Sequence, residues 1–294
     1  MNGTAPETDT GMSQACDCHF HVFGPAGTYP MSPDRIYTPG EASFESYGAV
    51  QAVLGTRRGI VVQPSVYGYD NRATLDTVAR SPETLRAVVA VPDEIEDAAL
   101  ARLDAAGARA LRINLVGRVG RILTLRDLAQ RIAGLGWHIE IFLHWTDLAA
   151  VRDLLDGLPV PVVLDHFGGL STGVDARTEG LEILLSVTER PDTWVKLSAP
   201  YRLMADDGAA QHQAVIEITQ RLIEAMPDRL IWGSDWPHPY HDRKAPEPVT
   251  LTRLLREACP TAEAYDRIMA RNAAILYGFD ISPDTWEETN EPYR

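Results

Sequence analysis

The sequence is poor in cysteine, in long hydrophobic runs and in positive charge. Only three of its 294 residues are cysteine, namely Cys16, Cys18 and Cys259. Such an odd and sparse count provides no disulfide framework, and the Cys16/Cys18 pair lacks the second pair that a structural zinc site requires. No apolar run approaches the ~20 residues that a membrane-spanning helix needs. We therefore expect a globular protein of the reducing cytoplasm that does not cross a membrane.

Basic residues are outnumbered by acidic ones. The chain has 27 Lys and Arg against 41 Asp and Glu, which gives a formal net charge of −14. Because this charge repels phosphate backbones, and no run of Lys or Arg interrupts it, the composition argues against a nucleic-acid partner. A pocket for an anion has to be built from a few local cations.

The amino-terminal segment lacks the pattern of a signal peptide. Residues 1–14 are polar and acidic, with neither a basic stretch nor an apolar stretch behind it. No change in composition marks a linker further along the chain. We interpret residues 1–14 as a flexible tail and residues 15–294 as one domain.

Eight short apolar segments alternate with segments of helical periodicity. Most are continuous runs of Val, Ile and Leu, which is typical of parallel strands covered on both faces. The predicted strands are Gln14–Cys18, Arg58–Gln63, Leu85–Val91, Ala108–Ile113, His138–Leu143, Val160–Asp165, Trp194–Leu197 and Arg229–Gly233. Without a GxGxxG turn, this alternation predicts a (β/α)8 barrel and not a dinucleotide-binding sheet. Leu251–Cys259 and Thr261–Tyr277 are predicted to add C-terminal helices.

Polar residues with catalytic potential follow several of these strands. His19 and His21 end strand one and point the same way, His166 follows strand six, and Asp235 follows strand eight. Each alone is compatible with an ordinary packed, surface or capping residue. Because the active site of a (β/α)8 barrel lies at the carboxyl ends of its strands, their shared position favours one site. Asp235, set beside Trp236, is expected to have a perturbed pKa and to act as a general base.

Arginines follow the strand ends as well. Arg112 closes strand four, Arg118 comes six residues later, and Arg202 follows strand seven. Any one of them is compatible with a surface ion pair. Several guanidinium groups at one mouth of an acidic protein indicate an anionic substrate, because their planar fork matches a carboxylate. Ser65, after strand two, adds a hydroxyl donor.

Motifs spread over residues 15–280 are similar to one known family. They are DCHFHVFGP at 17–25, QPS at 63–65, RIN at 112–114, VPVVLDH at 160–166, IWGSDWPHP at 231–239 and NAAILYGF at 272–279. Together they resemble the amidohydrolase superfamily, in particular the amidohydrolase-2 branch that contains 2-pyrone-4,6-dicarboxylate lactonase.

This resemblance implies a distorted (β/α)8 barrel that hydrolyses an anionic lactone in aromatic-compound catabolism. In that branch the matching residues, here His19, His21, His166 and Asp235, surround the scissile carbonyl. From the chemistry of lactone hydrolysis itself we expect Asp235 to take a proton from water and the three histidines to polarise the carbonyl. Substrate-binding positions of the branch match Arg112, Arg118, Arg202, Ser65 and Tyr37. Asp165 and His238 are expected to orient their neighbours.

Two positions depart from the branch. Gly169 stands where the lactonase has an arginine, and Phe142 stands where it has a tyrosine, with His144 two residues on. Both changes remove a polar contact from the expected pocket. We therefore expect the anionic groups of the substrate to differ in number, position or kind, as in a sulfonated muconolactone.

The predicted site is also a plausible zinc site. Three imidazoles and a carboxylate, from His19, His21, His166 and Asp235, suit a single Zn²⁺. Metal-dependent relatives add a strand-four lysine or a strand-five histidine or acid, whereas this chain offers Arg112 and Phe142 or His144 there. Because the lactonase branch is regarded as metal-independent, we expect that no metal is required.

Other functions remain compatible with the same residues. An aldarolactone isomerase keeps the fold and conserves the mass of its substrate. A zinc-dependent decarboxylase of the superfamily releases CO₂. A non-enzymatic binder of sugars or acids has no use for an ionised Asp235 beside the carbonyl of its ligand, so an enzyme is favoured.

Overall fold

The computed structural model describes residues 14–117, 124–206, 208–239 and 247–280. The predicted tail, apart from Gln14, lies outside the described residues, and so does Arg118. The predicted boundary between tail and domain stays a prediction.

The described residues contain eight parallel strands in the order β1 to β8. They are β1 Cys16–Phe20, β2 Arg58–Val62, β3 Leu85–Val89, β4 Ala108–Asn114, β5 His138–Phe142, β6 Val162–Leu164, β7 Thr193–Ser198 and β8 Leu230–Gly233. Each pairs with the next. Backbone hydrogen bonds from Asp235 N to His19 O and from His21 N to Trp236 O, both 2.8 Å long, join the end of β8 to β1. The nearly closed barrel confirms the predicted fold.

Helices follow the strands and cover the barrel. They are α1 Phe44–Leu54, α2 Arg72–Val78, α3 Asp97–Ala105, α4 Leu125–Ala133, α5 Leu148–Leu155, α6 Asp165–Gly168, α7 Val174–Arg177, α8 Glu179–Val187, α9 Ala209–Ala225, α10 Pro248–Ala258, α11 Ala262–Asp266 and α12 Asn272–Tyr277. A π-helical turn, Arg267–Arg271, joins the last two. The predicted C-terminal helices are thereby confirmed. Among the described residues, no helix combines the length and apolar character needed to cross a bilayer.

Successive residues of the strands face opposite sides of the barrel wall. On β7, Val195 and Leu197 pack in the core between strands and helices. Trp194 joins a second cluster that includes Tyr277 and Phe279 at the end of the chain. Since Asn272 of α12 bonds the carbonyl of Leu230 at the start of β8, α12 closes the amino-terminal end of the barrel. The opposite, carboxyl end is left for a site.

The junction of β1 with β8 depends on two residues. Gly233 lets the strands approach closely, because a Cβ there would lie 2.6 Å from the Cβ of His19. Buried Asp17 accepts hydrogen bonds from Ser234 N at 2.8 Å, from Ser234 Oγ at 2.6 Å and from Tyr47 OH at 2.8 Å. Burial raises the pKa of Asp17 by more than these hydrogen bonds lower it, so the pKa is about 6. Gly233 and Asp17 together keep His19 and the adjoining His21 close to the end of β8.

Candidate active site

The four predicted catalytic side chains meet around one carboxylate oxygen. Oδ1 of Asp235 lies 3.5 Å from His19 Nε2, 3.6 Å from His21 Nε2 and 3.9 Å from His166 Nε2. All four side chains are buried. Residues that are separated by up to 216 positions in the sequence therefore form one cluster at the carboxyl end of the barrel.

Two of these residues occupy an unusual backbone conformation. The φ angle is +59° at Asp235 and +54° at His166, in the left-handed region that non-glycine residues seldom adopt. Such conformations cost about 1–3 kcal/mol each and persist where the surroundings hold them. At Asp235 the backbone N–H donates to His19 O, and the hydroxyl of Tyr201 donates to Oδ2. Tyr201, next to the predicted Arg202, had no role in the sequence prediction.

The partner of each Nδ1 turns the Nε2 atoms towards Asp235. His21 Nδ1 donates to the carbonyl of Val62 at 2.7 Å. His166 Nδ1 lies 2.8 Å from Ser198 Oγ, and His19 Nδ1 lies 3.3 Å from Lys196 Nζ. Because these contacts come from strands of the barrel, the barrel itself orients the rings.

Electrostatics favour an ionised aspartate among neutral imidazoles. Burial alone raises the pKa of Asp235, but His166, His21, His19 and Arg202 more than offset this and hold it well below its usual range. Burial lowers the pKa of His19 and His166 well below the ordinary value and lowers that of His21 less. The centre therefore offers a carboxylate base at neutral pH.

A buried ion cluster lies directly beneath these rings. Lys196 Nζ is 2.5 Å from Glu140 Oε2 and 3.1 Å from Asp165 Oδ1, and all three side chains are fully buried. The hydroxyl of Tyr277 donates to Glu140 Oε1 at 2.5 Å. Burial alone raises the pKa of Glu140, but Lys196 and His138 together more than offset this and the pKa falls to about 2. The sequence prediction missed Lys196 and Glu140, whose signal was a charged residue inside an apolar strand.

Two groups of donor atoms could hold a metal ion. One comprises His19, His166 and Asp235, and the other comprises His19, Glu140 and Asp165; within each, the atoms lie within 4.8 Å of one another. In the second group the Lys196 ammonium already contacts all three members. In the first group the donors are of the kind that zinc prefers. However, Nδ1 of His19 lies 3.3 Å from the Lys196 ammonium, and a ring that accepts a hydrogen bond there carries its hydrogen on the Nε2 that a metal needs.

A cleft of about 380 Å³ opens above the cluster. Its lining includes seven predicted site residues: His21, Tyr37, Ser65, Arg112, His166, Arg202 and Asp235. His19 is fully buried and is not part of this lining. Arg112 is anchored by a 2.6 Å bond from Nη1 to Gln63 O. Arg202 stands over the ring of Phe142, with Cζ 5.4 Å from its centroid.

Of the two departures from the resembled branch, only Phe142 is part of the cleft lining. Phe142 sets its ring edge-on to His166, with the centroids 4.7 Å apart. Gly169 has a φ of +75°, and a Cβ there would lie 2.0 Å from the carbonyl oxygen of Leu143. No side chain fits at Gly169 without moving the segment after β5. His144 is exposed and is not part of the cleft lining.

The two predicted orienting residues lie beside the cluster. Asp165 Oδ2 is 3.8 Å from Arg112 Nη2, and its Oδ1 is 3.6 Å from His19 Nδ1. His238 is buried and packs its ring edge-on against Tyr201 at a centroid distance of 5.3 Å. Both therefore contact residues that contact Asp235 or its histidines.

A parallel barrel with an HxH pair at the end of β1, a histidine after β6 and an aspartate after β8 is the arrangement of an amidohydrolase. The family model described as "Amidohydrolase" matches residues 16–279, and the chain belongs to this family of enzymes.

Two characterised relatives cover most of the chain. It is 36% identical over 274 residues to a 2-pyrone-4,6-dicarboxylate hydrolase of Comamonas testosteroni, with 90% of each chain covered. It is 33% identical to a 4-sulfomuconolactone hydrolase of Hydrogenophaga intermedia, with 89% and 88% covered. The barrel also superimposes on the crystal structure of a putative 2-pyrone-4,6-dicarboxylic acid hydrolase from Pseudomonas putida with a TM-score of 0.81, 29% identity and coverage of 92% and 99%.

Proposed function

We propose that this enzyme hydrolyses a small anionic lactone. The observation that carries the proposal is the Asp235 carboxylate, surrounded by three imidazoles at the floor of a cleft whose walls carry Arg112 and Arg202. A buried base beside fixed cations suits an electrophilic substrate that bears negative groups. The names of the two relatives, a pyrone dicarboxylate hydrolase and a sulfomuconolactone hydrolase, support the same substrate class.

The reaction adds water across the ring ester. Asp235 takes one proton from water as the water oxygen bonds to the carbonyl carbon, and the carbonyl electron pair moves onto its oxygen. His166, which lines the cleft, stabilises that charge as a hydrogen-bond donor, an effect worth roughly 3–4 kcal/mol per donor in comparable oxyanion sites. Collapse of the intermediate breaks the ring C–O bond. The proton held by Asp235 passes to the departing ring oxygen, which restores the carboxylate.

The arginines hold the substrate in the cleft. Arg112 is fixed by Gln63 and Arg202 is stacked on Phe142, so both present a guanidinium with little freedom to lose on binding. Ser65 and Tyr37 add hydroxyl donors on the same wall, and Arg118, outside the described residues, is proposed to join them. Neither Phe142 nor Gly169 offers a polar side chain to the substrate. A substrate whose anionic groups differ in number, position or kind from those of a pyrone dicarboxylate, such as a sulfonated muconolactone, therefore suits the cleft.

We propose further that the hydrolysis needs no metal and serves aromatic-compound catabolism in the cytoplasm. Support for the metal-free reaction comes from the Lys196 ammonium, 3.3 Å from Nδ1 of His19, because a ring that accepts at Nδ1 has no electron pair on Nε2 for a metal. The test is elemental analysis of the purified enzyme together with assays in a chelator. Stoichiometric zinc, with activity lost on chelation and restored by the metal, would overturn this part.

The experiment that tests the function is a panel of 2-pyrone-4,6-dicarboxylate, 4-sulfomuconolactone and an aldarolactone. Hydrolysis adds one water to the mass of the substrate and releases one acid equivalent, whereas isomerisation conserves mass and decarboxylation releases CO₂. We expect the first outcome with at least one of the two aromatic-derived lactones. Mass conservation would support the isomerase, and binding without turnover of any member would leave the hydrolase proposal without support.

A further inference from the structure

His19, in β1, and His21, directly after it, have different partners at Nδ1. Nδ1 of His21 lies 2.7 Å from the carbonyl oxygen of Val62, whereas Nδ1 of His19 lies 3.3 Å from the Lys196 ammonium. The other charged group facing Nδ1 of His19, Asp165, is 3.6 Å away, beyond hydrogen-bonding distance. A carbonyl oxygen can only accept a hydrogen bond, and an ammonium can only donate one.

These partners require opposite tautomers. His21 must carry its hydrogen on Nδ1 to donate to Val62, which leaves an electron pair on Nε2. His19 must accept at Nδ1 from Lys196, which leaves its hydrogen on Nε2. Burial disfavours the doubly protonated form of both rings, so each carries one hydrogen.

We infer that Lys196 is a positioning residue. Its ammonium makes Nε2 of His19 a hydrogen-bond donor, whereas the Val62 carbonyl makes Nε2 of His21 an acceptor. The inference rests on the proposed hydrolysis and assigns its parts. His21 lines the cleft, and its Nε2 electron pair lies 3.6 Å from Asp235 Oδ1. A water molecule on the cleft side of this pair can donate one O–H group to each of the two acceptors. His21 thus orients the attacking water and does not polarise the carbonyl.

His19 acts on the other side of the carboxylate. It is fully buried outside the cleft lining, and its Nε2 lies 3.5 Å from Asp235 Oδ1 without forming a hydrogen bond to it. A hydrogen on Nε2 places partial positive charge beside the carboxylate and so stabilises its ionised form. His19 is therefore also a positioning residue, which acts through Asp235.

The surroundings of Lys196 hold its ammonium in place for this task. Its ammonium donates a hydrogen bond to Glu140 Oε2 at 2.5 Å, lies 3.3 Å from His19 Nδ1 and forms an ion pair with Asp165 Oδ1 at 3.1 Å. The two carboxylates stabilise the buried ammonium, and the hydroxyl of Tyr277 donates to Glu140. A fully buried lysine without such partners would lose its proton.

The direct test is ¹⁵N NMR of the histidine rings in the intact wild-type enzyme near neutral pH. The His19→Gln and His21→Gln variants assign the two signals by their loss. We expect the Nε2–H pattern for His19 and the Nδ1–H pattern for His21. The same tautomer for both rings, or an imidazolium at either, would overturn the inference. These spectra need no substrate, so an incorrect choice of lactone leaves their outcome unaffected.

Lys196→Met tests the functional consequence. We expect His19 to leave the pure Nε2–H pattern and kcat to fall about tenfold to hundredfold, with KM within about threefold, because Lys196 does not line the cleft. Asn272→Ala is the control: it removes two buried hydrogen bonds at the far end of the barrel and should lower stability but not kcat. An unchanged His19 spectrum in Lys196→Met, or a kcat equal to that of the control, would contradict the inference. If Lys196→Met does not fold, the wild-type spectra decide.

Discussion

At the scale of single residues, the charge of Asp235 is the feature on which the chemistry depends. In Asp235→Asn the side chain keeps its size but loses the ability to take a proton from water. We expect kcat to fall about 10³-fold, within the range of general-base removal, and KM to stay within about threefold because the arginines remain. Steady-state kinetics measure both constants.

A matched control for this change is Asp147→Asn, which alters an exposed acid after β5 that is not part of the cleft lining. It should behave like the wild type. Turnover by Asp235→Asn near that of this control would show that another group activates the water.

Arg202 is a second residue whose contribution, to substrate binding and to the pKa of Asp235, can be measured separately. Its guanidinium is partly exposed in the cleft and lies 4.0 Å from Asp235 Oδ2. Arg202→Gln should raise KM about 10- to 100-fold, the value of a hydrogen bond between charged groups. Because Arg202 also lowers the pKa of Asp235, its loss raises that pKa, so the acid limb of kcat/KM should move to higher pH.

Two comparisons check the role of Arg202. Arg152→Gln, at an exposed position on α5, should leave both KM and the pH profile unchanged. A methyl ester of the substrate should lose the dependence on Arg202. An equal rise of KM for charged and esterified substrates would argue against an ionic contact.

The residues of the site differ in how visible they are in the sequence. The four catalytic candidates were predictable because each stands at or just beyond the carboxyl end of a predicted strand. They are His19, His21, His166 and Asp235. Lys196 lies inside a strand, and its partners are 31 to 177 positions away in the sequence. The residues next to Lys196 therefore do not indicate which side chains it contacts. Long-range contacts of single charged residues become visible only when the barrel closes.

At the scale of elements, strand positions were predictable and strand ends were less so. Continuous Val, Ile and Leu runs identified most of the eight strands, and the predicted ends of all eight differ from the observed ends by up to two residues. The segment after β6 was harder, because Asp165–Gly168 forms a short helical turn with positive φ at His166 and Phe167. Such angles are imposed by the packing around the site and have no signature in the residue types themselves.

Gly169, which ends that turn, gives a prediction for the element. Its φ is +75°, and a Cβ at this position would approach Leu143 O to 2.0 Å, so no side chain is accommodated. Gly169→Ala should lower the free energy of unfolding by about 3 kcal/mol or more and shift the segment after β5. Chemical denaturation measures the loss.

The matched control is Gly134→Ala at the end of α4. Gly134 has a φ of −68°, and a Cβ there meets no atom within 4 Å. This change should be neutral or slightly stabilising. Equal stability of the two alanine variants would show that the turn after β6 tolerates a side chain.

At the scale of the whole molecule, the buried ion cluster joins the catalytic end of the barrel to its closed end. Lys196 of β7 contacts Glu140 of β5 and His19 of β1, and Glu140 receives the hydroxyl of Tyr277 from α12. Breaking a buried pair on one side leaves an uncompensated charge, which typically costs about 3–5 kcal/mol. The same contacts that orient His19 therefore also determine how stability depends on pH.

Glu140 makes that dependence measurable. Its folded-state pKa is about 2, below the usual 4.5, so its contribution to stability is present above pH 4.5 and is lost as the pH falls towards 2. Glu140→Gln lacks this ionisation, so its free energy of unfolding, although lower at neutral pH, should fall less steeply below pH 4.5 than that of the wild type. Denaturation curves at neutral pH, at pH 4.5 and at a lower pH give both slopes. Glu217→Gln, at an exposed position on α9, should follow the wild type. Parallel acid limbs for wild type and Glu140→Gln would mean that Glu140 is not ionised beside Lys196, and the orientation assigned to His19 would then lose its support.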